Sequence, residues 1–218
     1  LRQLQSTSKT GIMRLFSECR LYGIVDLGYV SPHRVQETTS ALIQGGVDIL
    51  QLRAKKSAKS EIRAMALQML SITRVAGVPL VINDHLEIAA EVESEGVHVG
   101  QNDGSITAAR AVVGKGCFVG KSTHSMEQAE AAQAEGADYI GFGPLYATGT
   151  KPDYVPIGLS EIAEVHRRVT LPIFCIGGVN HARLPEIRKA GAQRVVVVSA
   201  FLMANDVVES VRALKSSL

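Results

Sequence analysis

The sequence has no tryptophan, five phenylalanines, five tyrosines and three cysteines in 218 residues. The cysteines (Cys19, Cys117 and Cys175) are odd in number, far apart and free of any Cys-x-x-Cys pair. That spacing argues against a disulfide framework and against structural zinc. No apolar run approaches the roughly 20 residues of a membrane-spanning helix. Neither sign of charge dominates: 23 Lys and Arg against 21 Asp and Glu leave a formal charge of +2. With no long basic run, neither a nucleic-acid nor a membrane partner is expected. The stretch from Leu1 to Arg20 is polar and lacks an apolar signal core, so secretion is not expected. Also missing are the full P-loop spacing, a Gly-rich dinucleotide fingerprint and a nucleophile elbow. These absences leave a reduced, cytoplasmic enzyme as the expectation. They carry no signal for oligomeric state.

What is present is a hydrophobic fraction of 46%, enough for a substantial core, and a repeated beat. Apolar, β-branched runs fall at 21–25, 48–52, 79–82, 96–99, 117–119, 139–142, 173–176 and 194–198. Helical patterns fall between them, at 31–44, 60–76, 86–93, 105–113, 125–135, 159–169, 182–190 and 206–216. Ser31-Pro32 and Ser125 mark helix starts, and Gly45-Gly46, Gly77, Gly136 and Gly191 mark helix ends. Strand–helix repetition implies a parallel sheet with right-handed crossovers. Eight beats predict an α/β fold, a single (βα)8 TIM barrel spanning residues 21–218 after a short N-terminal arm at 1–20. The alternative, a doubly wound open sheet, lacks its fingerprint: strand one is followed by Asp26-Leu27-Gly28-Tyr29. The recurrent Gly46-Val47-Asp48, Gly136-Ala137-Asp138 and Gly191-Ala192 reads as the helix-to-strand turn at the barrel floor.

Barrel chemistry sits at the C-terminal ends of the strands, and that rule selects positions. Gln51, Arg53 and Lys55 end strand two, Asn83 and Asp84 strand three, and Gln101 to Asp103 strand four. Lys121, Ser122, Thr123 and His124 end strand five, and Thr148, Gly149, Thr150 and Lys151 follow strand six. Gly177-Gly178 end strand seven, and Val198-Ser199 end strand eight. Asp84 and Asp103 lie one βα unit apart. Two carboxylates without a nearby cysteine suit a hard cation, and Mg²⁺ typically takes one or two carboxylates plus substrate phosphates. Arg53, Lys55 and Lys151 are fixed cations on the same rim, so a polyanion bound through the metal is expected. The hydroxyls of Thr148 and Thr150 beside Lys151 suit phosphate oxygens. Gly177, Gly178 and the segment after strand eight suit a second anion, held by backbone N–H groups. Two other readings exist: Asp84 and Asp103 as helix N-caps, and a zinc site from His98, His124, Asp84 and Asp103, which has no helical His spacing. His98, inside a strand, reads as a core or supporting residue, and Cys175 as an inert buried thiol.

Taken in order, Gln51-Leu-Arg-Ala-Lys55, Val81-Ile-Asn-Asp84, Gly96-Val-His-Val-Gly-Gln-Asn-Asp103, Gly120-Lys-Ser-Thr-His124, Asp138 through Lys151, Ile176-Gly-Gly178 and Val198-Ser-Ala200 resemble the thiamine-phosphate synthase family. The resemblance runs from about Leu21 to the C-terminus. It implies a transferase that joins a hydroxymethylpyrimidine diphosphate to a thiazole phosphate and releases pyrophosphate, with these small molecules as partners and Mg²⁺ as cofactor. By resemblance, Gln51, Arg53, Lys55, Asn83, Ser122 and Lys151 would hold the pyrimidine diphosphate, with Arg53, Lys55, Ser122 and Lys151 as the catalytic set. Asp84 and Asp103 would hold the metal, and Thr148, Thr150, Gly178, Val198 and Ser199 the thiazole phosphate. The chain departs from the family's usual pattern at Ala54, commonly acidic, and at Asn102 and Gly104. Three rivals stand beside the synthase: a thiazole tautomerase of the same superfamily, with His124 as acid/base; a non-catalytic binder of phosphorylated thiamine precursors; and another phosphate-binding barrel such as a sugar-phosphate epimerase, which explains strands seven and eight but not the acid pair beside Arg53.

Overall fold

The computed structural model describes residues 16, 18–150 and 154–218. Eight parallel strands close into a barrel in sequence order: β1 (Leu21–Asp26), β2 (Ile49–Arg53), β3 (Leu80–Asn83), β4 (Gly96–Val99), β5 (Phe118–Thr123), β6 (Tyr139–Phe142), β7 (Ile173–Cys175) and β8 (Val195–Val197). Closure is the pairing of β8 with β1, where Leu21 faces Val195. The helices after the strands are α1 (Val35–Gly45), α2 (Lys59–Ala76), α3 (Leu86–Glu91), α4 (Ile106–Val113), α5 (Met126–Ala134), α6 (Ile162–Arg168), α7 (Leu184–Lys189), the short α8 (Ser199–Leu202) and α9 (Val207–Ser216). No described helix is long and apolar enough to cross a membrane.

Local sequence explains the elements. In α2 the buried residues Ile62, Met65, Ala66, Met69, Leu70 and Thr73 recur at helical spacing and give one apolar face. Gly46 and Gly77 close α1 and α2 in the left-handed conformation, as expected. In β1, Tyr22 and Ile24 belong to the barrel interior, whereas Leu21 and Val25 join the layer beneath the helices, the strand period of two. The expected helix at 31–44 divides into a 3-10 turn at Pro32–Arg34 and α1, and α8 was not anticipated. Strand five runs on to Thr123, so Lys121 and Ser122 lie within the strand.

The interior is aromatic. Phe16, Tyr22, Phe118, Tyr139 and Phe174 form one cluster with Ile24, Ile49, Val81 and Val196. Phe16, from the stretch expected to be an arm, is buried, with its ring 4.5 Å from Phe118 and 5.1 Å from Tyr139. Gly120 makes room for Tyr139: a Cβ there would lie 2.1 Å from the tyrosine Cζ.

The recurrent Gly-x-Asp is structural for a specific reason. Asp48 Oδ2 accepts from the backbone N–H groups of Arg20 and Leu21 at 2.8 and 2.9 Å. Asp138 Oδ2 accepts from Val119 N at 2.8 Å and from Arg110 Nη2 at 2.6 Å. Each carboxylate ties a strand start to its neighbour. Asp138→Ala removes the acceptor of the Val119 N–H and the carboxylate partner of Arg110, which keeps its bonds to the Cys117 and Gly136 carbonyls, and is expected to cost about 2–4 kcal/mol of stability. Urea unfolding checks this, and an unchanged midpoint would contradict it.

Candidate active site

Two adjoining hollows open at the C-terminal rim of the barrel. The first, about 930 Å³, reaches down to the interior aromatics and is lined by Gln51, Arg53, Asn83, Ser122, Thr148, Thr150, Gly178, Val198 and Ser199. The second, about 790 Å³, is lined by Lys55, Asp84, Asp103, Gln101 and Tyr154. Arg53, Asn83, Ser122 and Thr150 border both, so the two are compartments of one cleft. Gln51, Arg53, Lys55, Asn83, Asp84, Asp103, Ser122, Thr148, Thr150, Gly178, Val198 and Ser199 all border this cleft; Lys121 and Thr123 are buried away from it, and Lys151 lies outside the described residues.

The carboxylates are not helix caps. The cap position of α3 is His85, and that of α4 is Ser105, whose hydroxyl accepts from Ala108 N at 3.1 Å. Asp84 holds a positive φ of 64°, an unusual conformation for a residue with a Cβ. Its N–H donates to the His98 carbonyl at 2.9 Å, which pins the turn after β3 to β4. The Asp103 carboxylate accepts from Gly100 N at 2.8 Å. Lys55 forms an ion pair with Asp84. Burial raises the Asp84 carboxyl above its ordinary range. Lys55 pulls it back down, and the adjoining Asp103 pushes it further up.

Two adjoining carboxylates, the part-buried Asp84 after β3 and the exposed Asp103 after β4, repel, and a divalent cation relieves that repulsion. Among the described residues no group of three or more His, Cys, Asp or Glu side chains is arranged to hold a metal. The protein therefore offers two carboxylates, a number that fits Mg²⁺ when substrate oxygens and water supply the rest.

The remaining cleft groups are held from behind. Arg53 Nη1 donates to Asp26 Oδ2 at 2.6 Å, and Asp26 Oδ1 accepts from Gly28 N at 2.8 Å. Lys121 is buried and donates to the Gly104 carbonyl at 2.7 Å, so it shapes the loop after β4. Thr150 N donates to Thr148 Oγ1 at 3.0 Å, and the Tyr29 hydroxyl lies 3.0 Å from Thr150 Oγ1. Gly178 has a φ of 69°, and a Cβ there would lie 2.7 Å from Arg183 Nη1. Arg183 Nη1 donates to the Gly178 carbonyl at 3.0 Å and its guanidinium stacks on Tyr146. His124 Nδ1 donates to the Gly143 carbonyl, and its ring packs 4.8 Å from Tyr154. Burial pushes the Cys175 thiol up to about 12, which keeps it protonated and inert.

Some residues escaped the sequence reading. Asp26 ends β1, and the strand-end rule could have selected it. Tyr22 and Tyr139 border the cleft from the barrel interior, but only their inward placement distinguishes them from core aromatics. Tyr154 follows the threonine loop in sequence and carries no local signal.

Known proteins place the chain among relatives. Residues 21–201 match the family model described as thiamine monophosphate synthase. The thiamine-phosphate synthase of Chloroflexus aurantiacus is 39% identical over 198 residues, covering 90% of this chain and 91% of that protein. The thiamine-phosphate synthase of Methanocella arvoryzae is 40% identical over 197 residues, covering 90% of this chain and 93% of its own. In three dimensions, the thiamine phosphate pyrophosphorylase of Pyrococcus furiosus superposes with a TM-score of 0.83 at 28% identity, covering 93% of this chain and 96% of that one. A barrel with this cleft, matched along nearly its whole length in sequence and structure, belongs to the thiamine monophosphate synthase family.

Proposed function

We propose that this chain, a transferase of thiamine biosynthesis by family, couples 4-amino-2-methyl-5-hydroxymethylpyrimidine diphosphate to 4-methyl-5-(2-phosphoethyl)thiazole or its carboxylated form. The products are thiamine phosphate and pyrophosphate. The observation that carries this reading is the adjoining pair Asp84 and Asp103, beside Lys55 and on the same cleft as Arg53, Asn83 and Ser122. Asp84 and Asp103 would hold Mg²⁺. When bound, that ion supplies electrostatic stabilisation of the diphosphate oxygens. Arg53 and Lys55, with Lys151 from the sequence, would meet the charge that builds on the leaving group. Asn83, Gln51 and Ser122 would orient the pyrimidine partner. Breaking the bond from carbon to the diphosphate oxygen leaves a carbocation that the pyrimidine amino group stabilises. The thiazole nitrogen then attacks it. No covalent enzyme intermediate is required, in keeping with an inert Cys175. The test is formation of thiamine phosphate and pyrophosphate from the two substrates, with and without Mg²⁺. No product with metal present would defeat the reading. The reaction is assigned to the cytoplasm.

Thr148, Thr150, Gly178, Val198 and Ser199 would hold the thiazole phosphate. Gly178→Val combines a left-handed φ with a contact against Arg183 and blocks close backbone approach. It is expected to raise the Michaelis constant for the thiazole phosphate roughly tenfold or more, about 1.4 kcal/mol, and to spare that for the pyrimidine diphosphate. Varying each substrate in turn checks this; the opposite pattern would refute the assignment.

The tautomerase reading differs on His124. A synthase needs no proton transfer there, so His124→Asn keeps substantial coupling activity, losing roughly tenfold through disturbed positioning. A tautomerase would lose about 10²–10⁴-fold of isomerisation with its acid/base. The acid pair favours the synthase, because an isomerisation has no diphosphate to ionise.

A further inference from the structure

A continuous line of hydrogen bonds crosses the barrel interior beneath the cleft. Gln51 Nε2 donates to the Tyr22 hydroxyl at 2.9 Å, the Tyr22 and Tyr139 hydroxyls are 3.2 Å apart, Tyr139 lies 3.1 Å from His98 Nδ1, and His98 Nε2 lies 2.9 Å from Ser122 Oγ. It begins and ends on residues that border the cleft, Gln51 and Ser122. Both tyrosines are buried, at 2% and 0% exposure, so neither hydroxyl can turn to solvent.

With the Gln51 amide nitrogen against Tyr22, proton counting sets the direction. Tyr22 accepts from Gln51, so its one proton goes to Tyr139, its other partner among the described residues. Tyr139 then spends its proton on His98 Nδ1. A neutral imidazole with an accepting Nδ1 carries its proton on Nε2, which donates to Ser122 Oγ. The Ser122 proton is left to point into the cleft. The reverse polarity requires Gln51 to turn its carbonyl toward Tyr22, and each later bond then reverses. Any mixed arrangement leaves a buried hydroxyl without a partner, at a cost the interior does not tolerate.

We propose that Tyr22, Tyr139 and His98 are positioning residues: a buried relay that locks the proton polarity of Ser122 to the amide orientation of Gln51, so that Ser122 presents a hydroxyl donor to the ligand while Gln51 presents its carbonyl. Its consequence for substrate rests on the proposed coupling reaction: the relay selects a partner with a hydrogen-bond donor at Gln51 and an acceptor at Ser122. Its consequence for the free protein does not rest on that reading.

The test separates the two. Nitrogen-15 NMR of the free wild-type protein in alkaline buffer should find His98 protonated on Nε2; protonation on Nδ1 would overturn the relay direction. Gln51→Glu places an acceptor-only, ionised group against Tyr22 under those conditions. It should move the His98 proton to Nδ1, three hydrogen bonds away. Adding Tyr139→Phe to that variant cuts the relay and should return the proton to Nε2. Failure of Gln51→Glu to move the proton, or persistence of the shift in the double variant, refutes the coupling. In turnover, Tyr139→Phe and Tyr22→Phe should each raise the Michaelis constant for the pyrimidine diphosphate roughly tenfold, the loss expected for about one oriented hydrogen bond, with that for the thiazole phosphate unchanged. Equal Michaelis constants in a wild type that does couple the substrates would refute the functional consequence. A wild type that does not couple them would defeat the reaction assignment and leave the tautomer result to decide the relay. Should Tyr139→Phe fold poorly, Tyr22→Phe and the wild-type tautomer decide the matter.

Discussion

Asp84→Asn is expected to lower turnover by at least roughly 10²-fold, because it removes several kcal/mol of charge stabilisation at the leaving group. The same loss is expected of Asp103→Asn. The fold should survive both, since neither side chain caps a helix: the cap positions are His85 and Ser105. The two variants also test the pairing. Each removes one of two adjoining carboxylates; burial, and then the neighbouring Asp103, raises the Asp84 carboxyl, and each variant should weaken Mg²⁺ binding to the free protein. Calorimetric titration with Mg²⁺ alone reads this directly. Near-normal turnover of either variant at low Mg²⁺, with unchanged binding, would remove the carboxylate pair from the mechanism.

Arg53→Ala is expected to cost about 10²–10³-fold in turnover, the usual loss when one fixed donor is removed from developing negative charge. It should also destabilise the protein. Arg53 and Asp26 form an ion pair at 2.6 Å with side-chain exposures of 15% and 3%, so the substitution abandons a buried carboxylate, at roughly 3–5 kcal/mol. A double variant separates the two effects. Arg53→Ala with Asp26→Asn removes the orphaned charge and should recover most of the stability, measured by urea unfolding, while turnover stays low. Recovery of activity along with stability would show that Arg53 acts only through folding.

Much of this was legible in the chain. The eight strand–helix beats follow from local rules: apolar faces repeating at helical spacing, as from Ile62 to Thr73, and glycines at helix ends. Those rules act within a few residues of each position, so they require no knowledge of the rest of the molecule. Barrel closure then orders the strand ends around one rim, which is why Gln51, Arg53, Lys55, Asn83, Asp84, Asp103, Ser122, Thr148, Thr150, Gly178, Val198 and Ser199 could be selected as candidates before their neighbours were known. The same rule, applied to strand one, would have added Asp26.

Other facts belong to the tertiary structure. Asp48 and Asp138 carry the same local pattern as any turn aspartate, and only the barrel shows that each carboxylate fastens an adjoining strand. Asp84 and Asp103 stand just ahead of helices, as caps do in sequence, and only the structure puts His85 and Ser105 at the cap positions instead. Phe16 lies in a stretch with no periodic pattern, yet its ring closes on Phe118 and Tyr139. Lys121 reads in sequence only as a strand-end residue, and it is buried against the Gly104 carbonyl. Tyr22, Tyr139 and His98 come from β1, β6 and β4, separated by up to 117 residues between the two hydroxyls. A hydrogen bond depends on distance and angle between atoms, whereas local sequence fixes only the type and periodic placement of each residue. The sequence by itself therefore determined the barrel, its family and a set of candidate rim residues. Only the tertiary structure decided which of those side chains pair with each other and which line the cleft.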